Sequence, residues 1–214
     1  MFDLAYSPAG FLQYMLGDAL PHDLPLDNYE VWWETQGKAI SETVDRAGTP
    51  WIRQYDRQAN RVDELVFPAG YRDMLLEGYR HGVIWRAFDP ANEGLAAVYA
   101  LGYIAGYYDT GLYCPYTVSL ATAAAVDKYA TPEVRARYLP QLLARDESVW
   151  QGATWMTEAR GGSDLGQSVE TIARQARGGW RLTGEKYFCS NANAELAVVA
   201  ARPEDAPLGV RGLA

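Results

Sequence analysis

Residues that ligate metals or close disulfides are nearly missing from this sequence. Cys114 and Cys189 are its only cysteines and His22 and His81 its only histidines. Neither pair has the spacing of a ligand set, so no metal site is expected. Two cysteines are too few for a disulfide framework and fit a reducing, cytoplasmic setting. No uncharged apolar run reaches the roughly 18 residues of a membrane span. The opening MFDLAYSPAG has neither the basic head nor the apolar core of a secretion signal. Basic clusters are missing too. Net charge is −8, and residues 1–150 carry 12 basic against 20 acidic side chains, with 7 of each in 151–214. Nothing here forms the positive stripe that duplex DNA requires, so no nucleic-acid partner is expected.

Apolar and aromatic side chains are abundant. Hydrophobic residues make up 49% of the chain against 21% charged, a balance that excludes disorder and supports a packed core in one large or two small domains. Up to about residue 148 the pattern is helical. One helix is expected from Tyr29 to Ala47, with Asp27 and Asn28 as capping candidates and Gly48 and Pro50 ending it. A second follows Pro68, where Tyr71, Met74, Leu75 and Tyr79 make an apolar stripe. Leu95 to Tyr108 is almost uncharged, which predicts a helix buried on most faces. Pro115 is expected to open a helix reaching Tyr129. Thr131, Pro132 and Glu133 read as cap, first residue and first-turn acid of a short helix running past Leu143.

Near Trp150 the rhythm changes. Residues 169–173 predict a strand, Arg177-Gly178-Gly179 a reversal, and Trp180 to Thr183 the returning strand. Glu195 to Ala201 is a third strand candidate, and Gly209 to Ala214 begins a further apolar fragment. The expected organisation is α+β, an all-α helical domain over 1–149 followed by an antiparallel β-domain over 150–214. So few strands would leave open edges, so the β-domain reads as incomplete.

Two segments have the residue types of a binding site. Thr154 to Asp164 contains Gly161-Gly162-Ser163-Asp164, where consecutive glycines admit a ligand close to the backbone and a hydroxyl lies beside free amides. That suits a pyrophosphate, although the same four residues also make an ordinary turn. It is neither a dinucleotide-binding G-x-G-x-x-G nor a Walker loop. In Thr183 to Asn191, read as a strand, Phe188 and Ser190 share a face and pair an aromatic surface with a hydroxyl. A flat heteroaromatic cofactor needs that pairing; a core aromatic beside a surface serine is the plainer alternative.

In this order and separation the two segments resemble the acyl-CoA dehydrogenase family, which carries a T-E-x-x-x-G-S-D turn and then a G-x-K-x-[WF]-[IF]-[TS] strand. Here these are Thr157 to Asp164 and Gly184 to Ser190, and Pro132 to Leu142 is similar to the family's preceding helix. Upstream, Gln54-Tyr55-Asp56-Arg57 and Arg61 to Ala69 are similar to the AidB-like, alkylation-response branch, with Phe67 where that branch tends to place a histidine. The resemblance implies FAD as cofactor. The Met156 backbone and Thr157 hydroxyl would meet the flavin ring edge, and Ser163 the pyrophosphate or the acyl thioester. Phe188 would pack on the isoalloxazine, and Ser190 would reach the N5 region. It further implies an acyl-CoA or related thioester substrate, an electron-acceptor protein or oxygen, and a homo-oligomer. The family's catalytic carboxylate comes from a C-terminal helical bundle, expected outside these 214 residues, so no residue here is assigned as catalytic and this chain alone is expected to be inactive.

Glu158 borders the flavin loop but is rejected as the base, because the resemblance implies a loop-structural role for that position and because an acid at a helix edge is usually a solvated or capping group. Trp32-Trp33 reads as a helix seam, and Tyr103, Tyr107 and Tyr108 as core and pocket wall. Cys114 and Cys189 read as small buried residues. Two rivals stand beside the dehydrogenase reading: a non-catalytic flavin-binding module needing a partner chain, and an AidB-like DNA-associated flavoprotein. The acidic balance argues against the last. This segment should leave duplex DNA unshifted in a mobility assay at physiological salt, and salt-dependent micromolar binding would overturn that expectation.

Overall fold

A computed structural model describes residues 6–46, 48–89 and 94–214. The chain divides into two compact units, residues 1–116 with 140–149 and residues 117–139 with 150–214.

In the first unit α1 (Pro8–Leu16) starts where Pro8 fixes the first helical φ and the Ser7 hydroxyl accepts a bond from Gly10 N at 2.9 Å. Next, α2 (Leu26–Trp32) passes through a π-helical turn, Trp33–Gly37, into α3 (Lys38–Arg46). The helix expected from Tyr29 therefore begins earlier and carries a π-turn. A Cβ on Gly37 would lie 2.4 Å from the Trp33 ring, so glycine is what fits there. Ala47, the expected end of this helix, lies outside the described residues.

The first unit is not all-α. β1 (Trp51–Tyr55) and β2 (Arg61–Val66) form an antiparallel hairpin with Trp51 opposite Val66. Its turn is tied by Asp56, whose carboxylate accepts from Gln58 N at 2.8 Å and Asn60 N at 2.9 Å. Then come α4 (Tyr71–His81), α5 (Gly94–Tyr108) and α6 (Thr110–Tyr129). Pro115 lies inside α6 rather than opening it; the start is set by Asp109, whose carboxylate accepts from Leu112 N at 2.8 Å. α5 is also less enclosed than its composition predicts. Ala97, Leu101, Ile104 and Ala105 are buried, but Leu95, Tyr99, Tyr103 and Tyr107, four residues apart, are exposed along one face.

Fully buried Tyr29, Trp33, Met74, Tyr79, Ile84, Leu101 and Tyr116 make this unit's core. The Tyr116 hydroxyl donates to the α4 carbonyls, 2.8 Å from Met74 O and 3.0 Å from Leu75 O. That approach requires a gap in α4, which Gly78 provides: a Cβ there would sit 2.2 Å from the Tyr116 hydroxyl oxygen.

The second unit holds most of α6 and α7 (Pro132–Leu142), with β3 (Gly152–Trp155), α8 (Leu165–Ser168), β4 (Ile172–Ala176), β5 (Gly179–Thr183), β6 (Leu196–Val199) and β7 (Arg202–Pro203). β4 and β5 form the expected hairpin, but the β-structure is mixed rather than antiparallel. β3 pairs parallel with β6, and β4 parallel with β7, giving a sheet ordered β5-β4-β7. The start of β3 is docked on α6, where Gly152 N donates to Ser119 Oγ at 2.9 Å and the Thr122 hydroxyl reaches Ala153 O at 2.9 Å. No helix among the described residues is long and apolar enough to cross a membrane.

Gly78→Ala should force Tyr116 off the α4 carbonyls and cost about 1–3 kcal/mol of stability, as overpacking does. A shift of the denaturant midpoint measures it, and an unchanged midpoint would show that the contact is not close in solution.

Candidate functional site

The strand β3 ends at Trp155, and its ladder closes where Ala200 N donates to Trp155 O at 3.2 Å. Beyond that rung Met156 and Thr157 enter the glycine-containing loop. The second segment returns beside the first. Tyr187 N donates to Thr157 O at 2.9 Å, Lys186 Nζ to Met156 O at 3.3 Å, and Trp155 Nε1 to Ser190 O at 3.2 Å. Both segments singled out in the sequence thus lie together in the second unit.

The fastening between them is Glu158. Its carboxylate is only 4% exposed, and it accepts from Glu170 N at 2.5 Å, Thr171 N at 3.0 Å, Thr171 Oγ1 at 2.6 Å and Lys186 Nζ at 2.7 Å. Burial alone would raise its pKa. The Lys186 ammonium, the Thr171 hydroxyl and the two amides outweigh burial and bring the carboxyl from 4.5 down to about 2. Glu158 is therefore engaged in holding its loop, but as the buried hub of this unit rather than as a solvated or capping acid at a helix edge. Lys186 and Thr171, its partners, carried no signal of that role beyond the lysine's place in the G-x-K pattern.

The loop closes tightly on itself. Glu158 and Gly161 exchange backbone bonds, and a Cβ on Gly162 would fall 2.4 Å from Thr157 Oγ1. Ser163 then opens into a surface depression of about 480 Å³, lined also by Arg160, Gly161, Gly162, Asp164, Gln167 and Ser168. Among the described residues, Thr157 N–H, the Thr157 hydroxyl and the hydroxyls of Ser163 and Ser190 have no hydrogen-bond partner.

Phe188 and Ser190 do not share the face of a strand. The β5 ladder ends at Thr183, and the chain bends through 187–190 with Phe188 at φ 55° and Ser190 N donating to Phe188 O at 2.9 Å. Two contacts draw the chain off the strand path. Gly184 sits on Thr171, whose Oγ1 would be 2.4 Å from a Cβ there, and the Tyr187 amide is committed to Thr157 O. Phe188 is 74% exposed and meets the Tyr187 ring edge-on at 4.5 Å. No bond or ring contact among the described residues joins Ser163 to Phe188 or Ser190. Of the residues read otherwise, Trp33 is a buried seam residue stacked on Tyr108 at 5.4 Å. Tyr103 and Tyr107, with Tyr99, Gly102, Gly106 and Tyr113, wall a groove of about 410 Å³ in the first unit. Cys114 is exposed rather than buried.

Residues 34–147 match the family model of the adaptive response protein AidB N-terminal domain, and residues 153–213 that of the acyl-CoA dehydrogenase middle domain. The chain is 26% identical over 199 residues to acyl-CoA dehydrogenase family member 11 of Caenorhabditis elegans, covering 83% of this chain and 32% of that protein. It is 27% identical over 168 residues to AidB of Escherichia coli, covering 72% and 30%. It thus spans about a third of the length of these relatives. Among solved structures, Caenorhabditis elegans ACDH-11 in complex with C11-CoA superposes with a TM-score of 0.79 at 21% identity, over 97% of this chain and 38% of that one.

Because the folded pKa of Glu158 lies below its unfolded value, its stabilisation is complete above pH 4.5 and is lost as pH falls through about 2. Denaturant midpoints of the native protein and of Glu158→Gln should therefore differ most above pH 4.5 and converge on acidification. A pH-independent difference would mean that the carboxylate is not clamped.

Proposed function

Since the chain belongs to the acyl-CoA dehydrogenase family, in its AidB-like branch, we propose that it is the FAD-binding part of an oxidoreductase that dehydrogenates the α and β carbons of an acyl thioester. The observation that supports this reading is the joining of the two segments around Glu158 and Lys186 with donors left over. A flavin ring edge presents nitrogen and oxygen acceptors, and Thr157 N–H, the Thr157 hydroxyl and the Ser190 hydroxyl are free to meet them. The exposed Phe188 ring offers a flat apolar face. Gly162, pressed against Thr157, keeps the loop thin where a ligand would approach. The residues present therefore fit FAD.

In this reading the Met156 backbone and Thr157 hold the ring edge, Phe188 packs on the ring, and Ser190 bonds near N5. Ser163, beside its depression, takes the pyrophosphate or the thioester side of the substrate. Bound flavin would accept the hydride; this chain's residues bind and orient the ring and exclude water from it. The substrate is an acyl-CoA or a related thioester, and electrons leave to an acceptor protein or to oxygen. The protein works in the cytoplasm as a homo-oligomer, and the carboxylate base comes from a part of the protein other than these residues.

In the intact protein, Thr157→Ala with Ser190→Ala should weaken FAD retention and shift the flavin absorbance, each lost bond costing about 1–3 kcal/mol. Unchanged flavin content and spectrum in the double variant would count against the site.

A further inference from the structure

Lys186 reaches from the second segment into the first. Its side chain is 8% exposed, and its ammonium lies 2.7 Å from Glu158 Oε1 and 3.3 Å from Met156 O. Charge balance is met by the carboxylate, which stays ionised across the neutral range. The second contact has a different consequence. Met156 O belongs to the same peptide group as Thr157 N–H, the amide left without a partner where the β3 ladder ends. A cation on a peptide oxygen draws density from the conjugated nitrogen and makes its N–H a stronger donor.

We infer that Lys186 is a positioning residue of the flavin site, holding the Met156–Thr157 peptide in place and strengthening Thr157 N–H as a donor to the ring edge. This rests on the flavin-binding reading above. Donors to the ring stabilise its electron-rich reduced form more than its oxidised form. Lys186 therefore raises the flavin's reduction potential as well as its affinity, without touching the ring. A lysine serving only as counter-ion to Glu158 would do neither.

The test compares the intact protein loaded with FAD against Lys186→Met, Lys186→Met combined with Glu158→Gln, and Lys186→Arg. Midpoint potential, flavin absorbance, FAD dissociation constant and unfolding temperature are measured for each. Lys186→Met leaves a buried carboxylate unpaired, so a fall in unfolding temperature is expected from either role. The double variant removes that charge and recovers unfolding temperature, yet it keeps a lowered potential, an altered spectrum and about tenfold weaker FAD binding, the cost of one good hydrogen bond. Lys186→Arg keeps the ion pair but changes the contact at Met156 O, and its potential falls in the same direction by less. Native potentials in both the double variant and Lys186→Arg overturn the inference while leaving the flavin reading intact. If the double variant fails to hold FAD, Lys186→Arg decides alone. A native protein that takes up no FAD overturns the flavin reading, and the inference with it.

Discussion

Burying Glu158 as an ion costs several kcal/mol unless donors converge on it, and that convergence shapes the second unit. The donors come from the start of β4, through Glu170 N, Thr171 N and the Thr171 hydroxyl, and from the segment after β5, through Lys186. A carboxylate satisfied from two directions fixes the loop that carries it against both. Tyr187 N on Thr157 O and Trp155 Nε1 on Ser190 O then set the register between loop and return. The free donors of Thr157 and Ser190 follow from this division of labour. Because the hub carries the structure, the groups beside it need not.

The first unit solves a different problem, the packing of large rings. Trp33 stacks on Tyr108 at an interplanar angle of 3°, and Tyr79 meets Tyr116 edge-on. Rings of this size fit among helices only where small residues make room, as Gly37 does for Trp33 and Gly78 for Tyr116. The same economy leaves a surplus outside. Tyr6, Phe11, Tyr103 and Tyr107 contact one another on the open face of α5, with the Tyr6 and Tyr103 hydroxyls 2.6 Å apart.

Local signals were legible in the sequence wherever local chemistry decides the outcome. Thr131 before Pro132 marked the start of α7, and Arg177-Gly178-Gly179 marked the reversal between β4 and β5. The two segments that meet at Glu158 and Lys186 were legible as family motifs because their residue types and order are specific. The hairpin β1–β2 was not, because its residues are exposed almost throughout and no alternation of buried and open positions was imposed on them. The parallel pairings of β3 with β6 and β4 with β7 join stretches with other strands between them, which no local pattern encodes. The bend at Phe188 was hidden for a related reason. An aromatic residue in the left-handed region is unfavourable locally and is held there by distant contacts, at Thr157 and at Thr171.

Those same contacts settle what Glu158 cannot do. A general base works best with a pKa near the operating pH and a lone pair directed at the substrate proton. Glu158 has neither property, since its carboxyl titrates at about 2 and its oxygens already accept from four donors. Freeing one oxygen for catalysis would unpair Lys186 or Thr171 inside the protein and loosen the loop that the carboxylate fastens. Position beside the site and fitness for the chemistry are therefore opposed in this residue. A dehydrogenation that begins with loss of an α-proton would have to draw its base from a carboxylate that is not spent on the fold, and Glu158 is spent on it, as a buried fastening of its loop rather than a solvated or capping acid.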